Sequence, residues 1–271
     1  MKKFVQDLIE KYPLIKRNRF YYHLQRYRQY RPCEVAYTLT TRPDILDALV
    51  KDGIIVIENY LSREICDAII SELQESADQV LQGTYKGKGD FAEHQVKQKS
   101  FRIHDVDKIS NTAKEKFFDD KLIFEIAKAY VSKKAASYRR EADYKLEAGH
   151  LLSSDLAHFD DWRHRFKAFL YLTDVSIYNA PFVYYKGSHE QHPWKYKYHL
   201  EYEIDGESGR YGHFFWQEIE SIKKERNYEE FVCIGKAGTL ILADFRGIHK
   251  GTTLKSGQRI LLNNTFGIVA L

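Results

Sequence analysis

Residues 238–253 read GTLILADFRGIHKGTT, which combines a strand signal with a histidine between two glycines. The apolar run 239–243 follows Gly238, a pattern typical of a buried strand that begins at a turn. Similar short runs occupy 166–172, 182–185 and 259–268. Within 166–172 apolar residues alternate with other types, as expected for a strand with two different faces. From about residue 136 onward, the sequence therefore predicts an antiparallel barrel or jelly roll.

The part of the chain before residue 136 is predicted to be mainly helical. Helices are expected near 3–11, 20–31, 43–51 and 120–134, and a strand over 53–57. A longer helix is expected from Ser62, whose hydroxyl would cap the first turn, to Leu81. The predicted fold class is α+β, with a jelly-roll core and N-terminal helices packed outside it.

No repeat or long linker divides the chain, so one domain with an extension is the simplest organisation. Residues 1–34 are predicted to form a basic, Tyr-rich helical extension. Residues 35–271 are predicted to form a single domain, with helical support over 35–135 and the jelly-roll core over 136–271.

The composition excludes several classes of protein. The chain has 271 residues, of which 44% are hydrophobic and only 5 are Pro, so intrinsic disorder and low complexity do not fit. No apolar run is long enough for a transmembrane segment and no secretory signal is present, which predicts a cytoplasmic protein. Cys33, Cys66 and Cys233 are widely spaced and predict reduced thiols.

The positive charge is concentrated near the N-terminus. The net charge is +4, yet residues 11–31 contain seven Lys or Arg and no Asp or Glu, so the rest of the chain is mildly acidic. Two interpretations remain open. The segment is a solvated helix face with inward tyrosines, or it makes a polyanion contact with nucleic acid or anionic lipid.

Three residues have the types and spacing of a metal site. His158 and Asp160 form a His-x-Asp at the edge of a predicted strand, where residues two apart point the same way. This signal is weak alone, but His249 follows a buried strand and Arg259 lies ten residues further on. Two histidines and one carboxylate on β structure match the facial triad of non-haem Fe(II) oxygenases.

Longer motifs extend this pattern. AHFDDW at 157–162, NAPFVYYKGSHE at 179–190 and GTLILADFRGIHKGTT…GQR at 238–259 occur in this order, with a weaker match in DGIIVIENYLS at 52–62. The chain thereby resembles the phytanoyl-CoA dioxygenase (PhyH) family of Fe(II)- and 2-oxoglutarate-dependent oxygenases. The resemblance covers about 136–267 and implies a double-stranded β-helix, the jelly-roll core of cupin-like proteins.

The resemblance implies roles for individual residues. His158, Asp160 and His249 would bind Fe(II), and Arg259 would pair with the distal carboxylate of the cosubstrate 2-oxoglutarate. Gly251 stands where the family often has a hydroxyl, so Thr252 or Thr253 would substitute for it. Further candidates for positioning 2-oxoglutarate are Tyr171 and Lys145.

The expected reaction is hydroxylation of a small organic metabolite by dioxygen, with release of succinate and CO2. Because Asp160 is present, halogenation is disfavoured, and desaturation or ring closure by the same oxidant stays open beside hydroxylation. His164, His192, His199 and His213 are expected not to bind the metal, and His189 is expected to act through hydrogen bonds. The alternative function is a non-catalytic jelly-roll binding module whose basic N-terminal segment docks a polyanion.

Overall fold

The structure is a computed structural model that describes residues 41–149, 155–160, 164–190, 192, 194–195, 213–214 and 216–268. The predicted extension 1–34, with its two helices and its polyanion contact, lies outside the described residues, and so does Cys33. Within the described part, Cys66 and Cys233 are free, buried thiols, as expected. No helix in that part combines the length and the apolar character needed to cross a membrane.

Six helices flank the sheets in the described part of the chain. They are α1 (Pro43–Asp52), α2 (Arg63–Leu81), α3 (Glu93–Lys97), α4 (Asn111–Ala113, continued by a π-helical turn Lys114–Phe118), α5 (Lys121–Tyr130) and α6 (Trp216–Arg226). The helices predicted over 43–51 and from Ser62 to Leu81 are confirmed. Pro at the start of α1 suits the first helical turn, where an amide hydrogen has no partner.

Two details of the helix ends differ from the prediction. The Ser62 hydroxyl makes no capping hydrogen bond to an amide of α2. The helix predicted over 120–134 ends at Tyr130, since a turn leads directly into a strand at Ala135. Its N-terminus is capped by Asp120, whose Oδ1 accepts a hydrogen bond from the Ile123 amide at 2.9 Å.

The described strands form two antiparallel sheets. They are β1 (Ile54–Ile57), β2 (Gly89–Asp90), β3 (Ser100–His104), β4 (Ala135–Lys145), β5 (Phe166–Tyr171), β6 (Phe182–Lys186), β7 (Glu229–Cys233), β8 (Leu240–Asp244), β9 (His249–Lys250) and β10 (Arg259–Ile268). The larger sheet has seven strands in the order β1-β8-β5-β10-β4-β3-β2, and the smaller has the order β7-β6-β9. The predicted mixture of helices and antiparallel sheets is confirmed.

The region 35–135 contributes more than helical support. The sequence predicted β1, but it did not predict β2 and β3, which pair with each other and extend the seven-stranded sheet beyond β4. Both were missed because β2 has only two residues and β3 alternates polar with apolar residues over just five positions.

Alternation along the strands separates two faces of the large sheet. Phe166, Ala168 and Leu170 of β5 pack with α1, α2 and α5 in one buried cluster. Phe169 and Tyr171 point the other way, into a second cluster shared with the three-stranded sheet. The second cluster contains Phe182 and Tyr184 of β6 and Ile241 of β8, among others. The helices therefore cover one face, and the other face is available for a site between the sheets.

Candidate metal centre

The His-x-Asp segment lies beside β9. The backbone amide of His158 donates to the carbonyl of His249 and the amide of His249 donates to the carbonyl of His158, both at 2.8 Å. The amide of Asp160 also donates to the carbonyl of Phe245 at 3.2 Å. These backbone bonds bring His158 Nε2 and Asp160 Oδ1 together with His249 Nε2, although His249 lies about 90 residues further along the chain. Asp160 Oδ1 lies 3.6 Å from the first imidazole and 3.5 Å from the second.

The tautomers of both imidazoles suit metal binding. Nδ1 of His158 lies 2.7 Å from the carbonyl oxygen of Leu156, and Nδ1 of His249 lies 2.8 Å from that of Gly247. Because a carbonyl only accepts, each Nδ1 carries the proton and each Nε2 presents its lone pair. Burial, with His249 nearby, lowers the pKa of His158 to about 3. These two imidazole lone pairs and the Asp160 carboxylate form a convergent donor set that fits a divalent iron ion.

The carboxylate ligand has a partner of its own. Lys167 Nζ donates to Asp160 Oδ2 at 2.6 Å and lies 3.8 Å from the centre of the Phe245 ring. Burial alone would raise the pKa of Asp160, but the positive charge of Lys167 and the neighbouring imidazoles hold it well below its usual value. Sequence reasoning did not identify Lys167. Its only signal was a lysine in the alternating run 166–172.

Gly247 lets the turn between β8 and β9, which precedes His249, pack closely against β6. A Cβ at Gly247 would lie 1.9 Å from the Tyr184 hydroxyl oxygen, which donates to the carbonyl of Asp244 at 2.8 Å. The Ser188 hydroxyl oxygen accepts from the amide of Ile248 at 2.7 Å. The turn between β8 and β9 is thus held against β6 and the Gly-Ser-His turn, which sets the position of the distal histidine.

A cavity of about 340 Å³ opens beside the three donor atoms. Four aromatic side chains line it, namely Phe159, Phe169, Phe182 and Phe245. Its lining also includes charged side chains of the large sheet, namely Arg102, Arg139, Glu141, Asp143, Lys145, Lys167 and Arg259. The cavity can therefore accommodate a small molecule that carries charged groups.

Arg259 faces this cavity from the first position of β10 and is only 6% exposed. Its Nη1 donates to the carbonyl of Ala180 at 2.7 Å and its Nη2 to Asp143 Oδ1 at 2.5 Å. Asp143 also accepts a 2.6 Å bond from Arg102, and these two arginines keep its pKa below the usual value despite burial. Within the described residues, Nε of Arg259 has no hydrogen-bond partner. The Nε–H group of Arg259 is therefore a buried hydrogen-bond donor without an acceptor in the described part of the chain, in a side chain that lines the cavity.

Of the other residues predicted to position 2-oxoglutarate, only Lys145 lines the cavity in the described part of the chain. Lys145 lines the cavity, where its Nζ donates to Asp155 at 2.6 Å and to the Thr252 carbonyl at 2.9 Å. The Tyr171 hydroxyl donates to the Cys233 carbonyl and accepts from the Phe182 amide. The Thr252 hydroxyl donates to the Pro181 carbonyl. Neither Tyr171 nor Thr252 nor Thr253 is among the described residues that line the cavity.

Two other histidines lie near the site. The ring centre of His213 is 4.9 Å from that of His158, and His213 lines the cavity. His164 lies against Asp244, with Nε2 3.4 Å from Oδ2, and it does not converge with the three donor atoms. The position of His213 beside the site was not expected from the sequence, because its neighbours in the chain carry no motif.

Comparisons with known proteins identify the family and the fold. The family model for phytanoyl-CoA dioxygenase (PhyH) matches residues 49–260. A search of curated protein sequences finds no match. Among solved structures, EctD from S. alaskensis with 2-oxoglutarate and 5-hydroxyectoine is 17% identical over 82% of this chain and 74% of that chain, with a TM-score of 0.58.

Two further solved structures have a similar fold. HygX from Streptomyces hygroscopicus with nickel and 2-oxoglutarate bound is 16% identical over 83% of this chain and 86% of that chain, with a TM-score of 0.53. The non-heme alpha ketoglutarate dependent carbocyclase SnoK from nogalamycin biosynthesis is 15% identical over 87% and 86%, with a TM-score of 0.54. At these identities the likeness is one of fold.

Proposed function

Since the chain belongs to the phytanoyl-CoA dioxygenase (PhyH) family, we propose that it hydroxylates a small organic metabolite with dioxygen and 2-oxoglutarate, releasing succinate and CO2. The family uses Fe(II) and 2-oxoglutarate. The observation that carries the proposal is the convergence of His158 Nε2, Asp160 Oδ1 and His249 Nε2 within 4.8 Å of one another. We also infer that the two sheets are the walls of a double-stranded β-helix.

The triad would hold Fe(II) through two neutral imidazoles and one carboxylate. Three protein ligands leave coordination positions for a chelating keto acid and for dioxygen. Bound iron would let dioxygen, the oxidant, react with both 2-oxoglutarate and an unreactive C–H bond, with one oxygen atom ending in succinate and the other in the hydroxylated product. Lys167 keeps the second oxygen of Asp160 occupied at 2.6 Å, which favours binding of the cation through Oδ1 alone.

Arg259 and Lys145 would bind the distal carboxylate of 2-oxoglutarate. Both are buried cations that line the cavity, and burial strengthens their attraction for an anion. The planar guanidinium of Arg259 can form two parallel hydrogen bonds to a carboxylate. Its present partners, Asp143 and the Ala180 carbonyl, hold the side chain in place before the anion arrives.

The cavity limits the size and the nature of the substrate. About 340 Å³ has to accommodate both the cosubstrate and the substrate, which favours a small molecule. Its walls include Glu141, Asp143 and several basic side chains, so a substrate with polar groups fits better than a long aliphatic chain. The presence of Asp160 as a third ligand favours hydroxylation over halogenation.

A non-catalytic binding module with a polyanion-docking N-terminal segment is the alternative function. The segment 11–31 lies outside the described residues, and no contact in the described part supports polyanion binding. A binding module would also have no need of two imidazoles held in the tautomer that binds metal. The site therefore favours the oxygenase.

The proposal is tested by adding Fe(II) and 2-oxoglutarate to the metal-free protein without oxygen and recording the visible charge-transfer absorption of chelated 2-oxoglutarate. We expect a band for the parent and for His94→Ala, which removes an exposed histidine of α3, and no band for His158→Ala. Circular dichroism establishes that each variant is folded. A folded, iron-loaded parent without a band, or a His158→Ala variant with the full band, would refute the assignment.

A further inference from the structure

A second group of metal-ligating side chains lies where β2, β3 and β4 pair. Asp90 is in β2, His104 in β3 and Glu141 in β4, and one ligand atom from each lies within 4.8 Å of the others. We propose that these three residues form a binding site for a divalent first-row transition-metal ion, of which Zn²⁺ is the practical probe. The site uses none of the residues of the proposed iron centre.

The pairing of the strands creates this group. His104 and Glu141 are direct partners in the antiparallel pair β3–β4, so their side chains emerge on the same face. Asp90 pairs with Arg102, two residues from His104 on the same face of β3. His104 Nε2 consequently lies 3.0 Å from Glu141 Oε1 and 3.6 Å from Asp90 Oδ2. Two ligands about 2.1 Å from one cation are roughly 3.0 to 3.4 Å apart in octahedral or tetrahedral geometry.

Two buried atoms in the group lack hydrogen-bond partners. Glu141 is 1% exposed, and its Oε1 has no partner among the residues that the structure describes. The same holds for His104 Nε2, although the two atoms are only 3.0 Å apart. No hydrogen bond joins these two atoms, so neither satisfies the other. A cation between them would satisfy both atoms.

The other oxygen of Glu141 is already fixed. Asn263 Nδ2 donates to Glu141 Oε2 at 2.8 Å, which leaves Oε1 directed at His104. A ligating carboxylate is commonly held in this way by a hydrogen bond from a neighbouring side chain. One imidazole and two carboxylates are a nitrogen and oxygen donor set that suits Zn²⁺ and similar ions.

Two arginines border the group and weaken its attraction for cations. Arg102 Nη1 is 3.7 Å from Asp90 Oδ2, but the closest partner of Arg102 is Asp143 at 2.6 Å. Arg139 Nε is 3.5 Å from Glu141 Oε1, and its side chain is 53% exposed, so it can turn towards solvent. Within the described residues, neither arginine makes a hydrogen bond to Glu141 Oε1.

Occupation of this site would affect the catalytic cavity. Glu141 lines that cavity, while Asp90 belongs to the two-residue edge strand at the end of the sheet. A cation would thus tie the edge strand to the cavity wall. It would also hold the negative charge of Glu141 away from a bound substrate.

The test is a Zn²⁺ titration of the metal-free protein, with bound metal counted after equilibrium dialysis. It is done in the parent and in a His158→Ala background, so that binding at the triad is subtracted. We expect His104→Gln to lose one equivalent in both backgrounds and His94→Gln to lose none. Asp90→Asn, at an exposed edge position, should raise the dissociation constant of that equivalent at least about tenfold.

Thermal unfolding gives a second readout, since an ion that binds only the folded protein raises the melting temperature. The increase should be smaller for His104→Gln than for His94→Gln. If the two variants bind Zn²⁺ with the same stoichiometry and affinity, His104 is not a ligand and the proposal is wrong. The readout in the His158→Ala background does not depend on the proposed oxygenase activity.

Discussion

Asp160 has a different partner for each of its oxygens. Oδ1 faces the two imidazoles, and Oδ2 accepts a 2.6 Å bond from Lys167. This bond stops the carboxylate from rotating, so the lysine acts on the metal by orienting a ligand. Lys186 offers a comparison, because its Nζ also pairs with a carboxylate, Glu229, at 2.8 Å and lies over an aromatic ring.

Lys167→Met is expected to lower Fe(II) affinity by about 10- to 100-fold, because the freed carboxylate can rotate away from the binding position. Competition with a colorimetric chelator measures the affinity. Lys186→Met removes a similar lysine that neither contacts Asp160 nor lines the cavity, and it should leave the affinity unchanged. An increase in affinity for Lys167→Met would mean that the ammonium repels the metal more than it orients Asp160.

Arg259→Ala is expected to weaken 2-oxoglutarate binding while leaving Fe(II) binding intact. Loss of a charge-assisted contact to a carboxylate costs about 1.5–3 kcal/mol, which corresponds to roughly a 10- to 100-fold rise in the dissociation constant. The charge-transfer band, titrated with 2-oxoglutarate at fixed iron, measures this constant. Arg63→Ala is the control, because Arg63 forms an exposed ion pair with Asp174. An unchanged titration for Arg259→Ala would remove Arg259 from the cosubstrate site.

Among the secondary-structure elements, α2 and α5 show that a capping residue type just before a helix does not always form the capping hydrogen bond. Ser62 and Asp120 both precede a helix and both have an oxygen that can cap it. Only Asp120 does so, by accepting from the Ile123 amide, whereas Ser62 makes no capping hydrogen bond. α5 contributes Ile123 and Ile126 to the buried cluster on the outer face of the large sheet, so its stability supports that face.

Asp120→Ala is expected to reduce the free energy of unfolding by about 1 kcal/mol, because the Ile123 amide loses its acceptor. Ser62→Ala should change it by less than about 0.5 kcal/mol, since that hydroxyl is exposed and contacts no helix amide. Urea unfolding followed by circular dichroism compares the two variants. Equal losses would contradict the difference between these two helix starts.

For the whole molecule, burial of uncharged histidines links stability to pH. Desolvation lowers the pKa of both His164 and His189 from the usual value. In the unfolded chain a histidine titrates near pH 6.5, so on acidification the unfolded state takes up protons that the folded state does not. The metal-free protein should therefore lose stability as the pH falls below about 6.5. The folded state takes up these protons only at lower pH.

His189→Gln is expected to make this loss shallower by up to about 1.4 kcal/mol per pH unit, the effect of one proton. Gln can still donate to the Val50 carbonyl, which lies 3.0 Å from His189 Nε2, and it does not titrate. Urea unfolding at several pH values between about 7.5 and 5 gives the slope. His94→Gln changes an exposed histidine and should keep the parent slope. If the free energy of unfolding of His189→Gln fell with pH as steeply as that of the parent, His189 would be taking up its proton in the folded protein as well.

The sequence by itself determined which residue types could form the metal centre and which helices and strands could form the fold. A period of two predicted that His158 and Asp160 share a face, and the apolar run 239–243 predicted the strand β8 that precedes His249. These signals are local, because a helix or a strand shows its periodicity within a few turns or residues. The motif order added Arg259 to the same prediction.

Only the tertiary structure decided which side chains meet. The partner of Asp160 proved to be Lys167, and Asp143 lies between Arg102 and Arg259. The group Asp90, His104 and Glu141 exists only because β2 and β3 extend the sheet next to β4. Alternation tells which residues of one strand share a face, but strand order and register decide which residues of other strands stand opposite. These pairings join residues far apart in the chain, so no local pattern contains them.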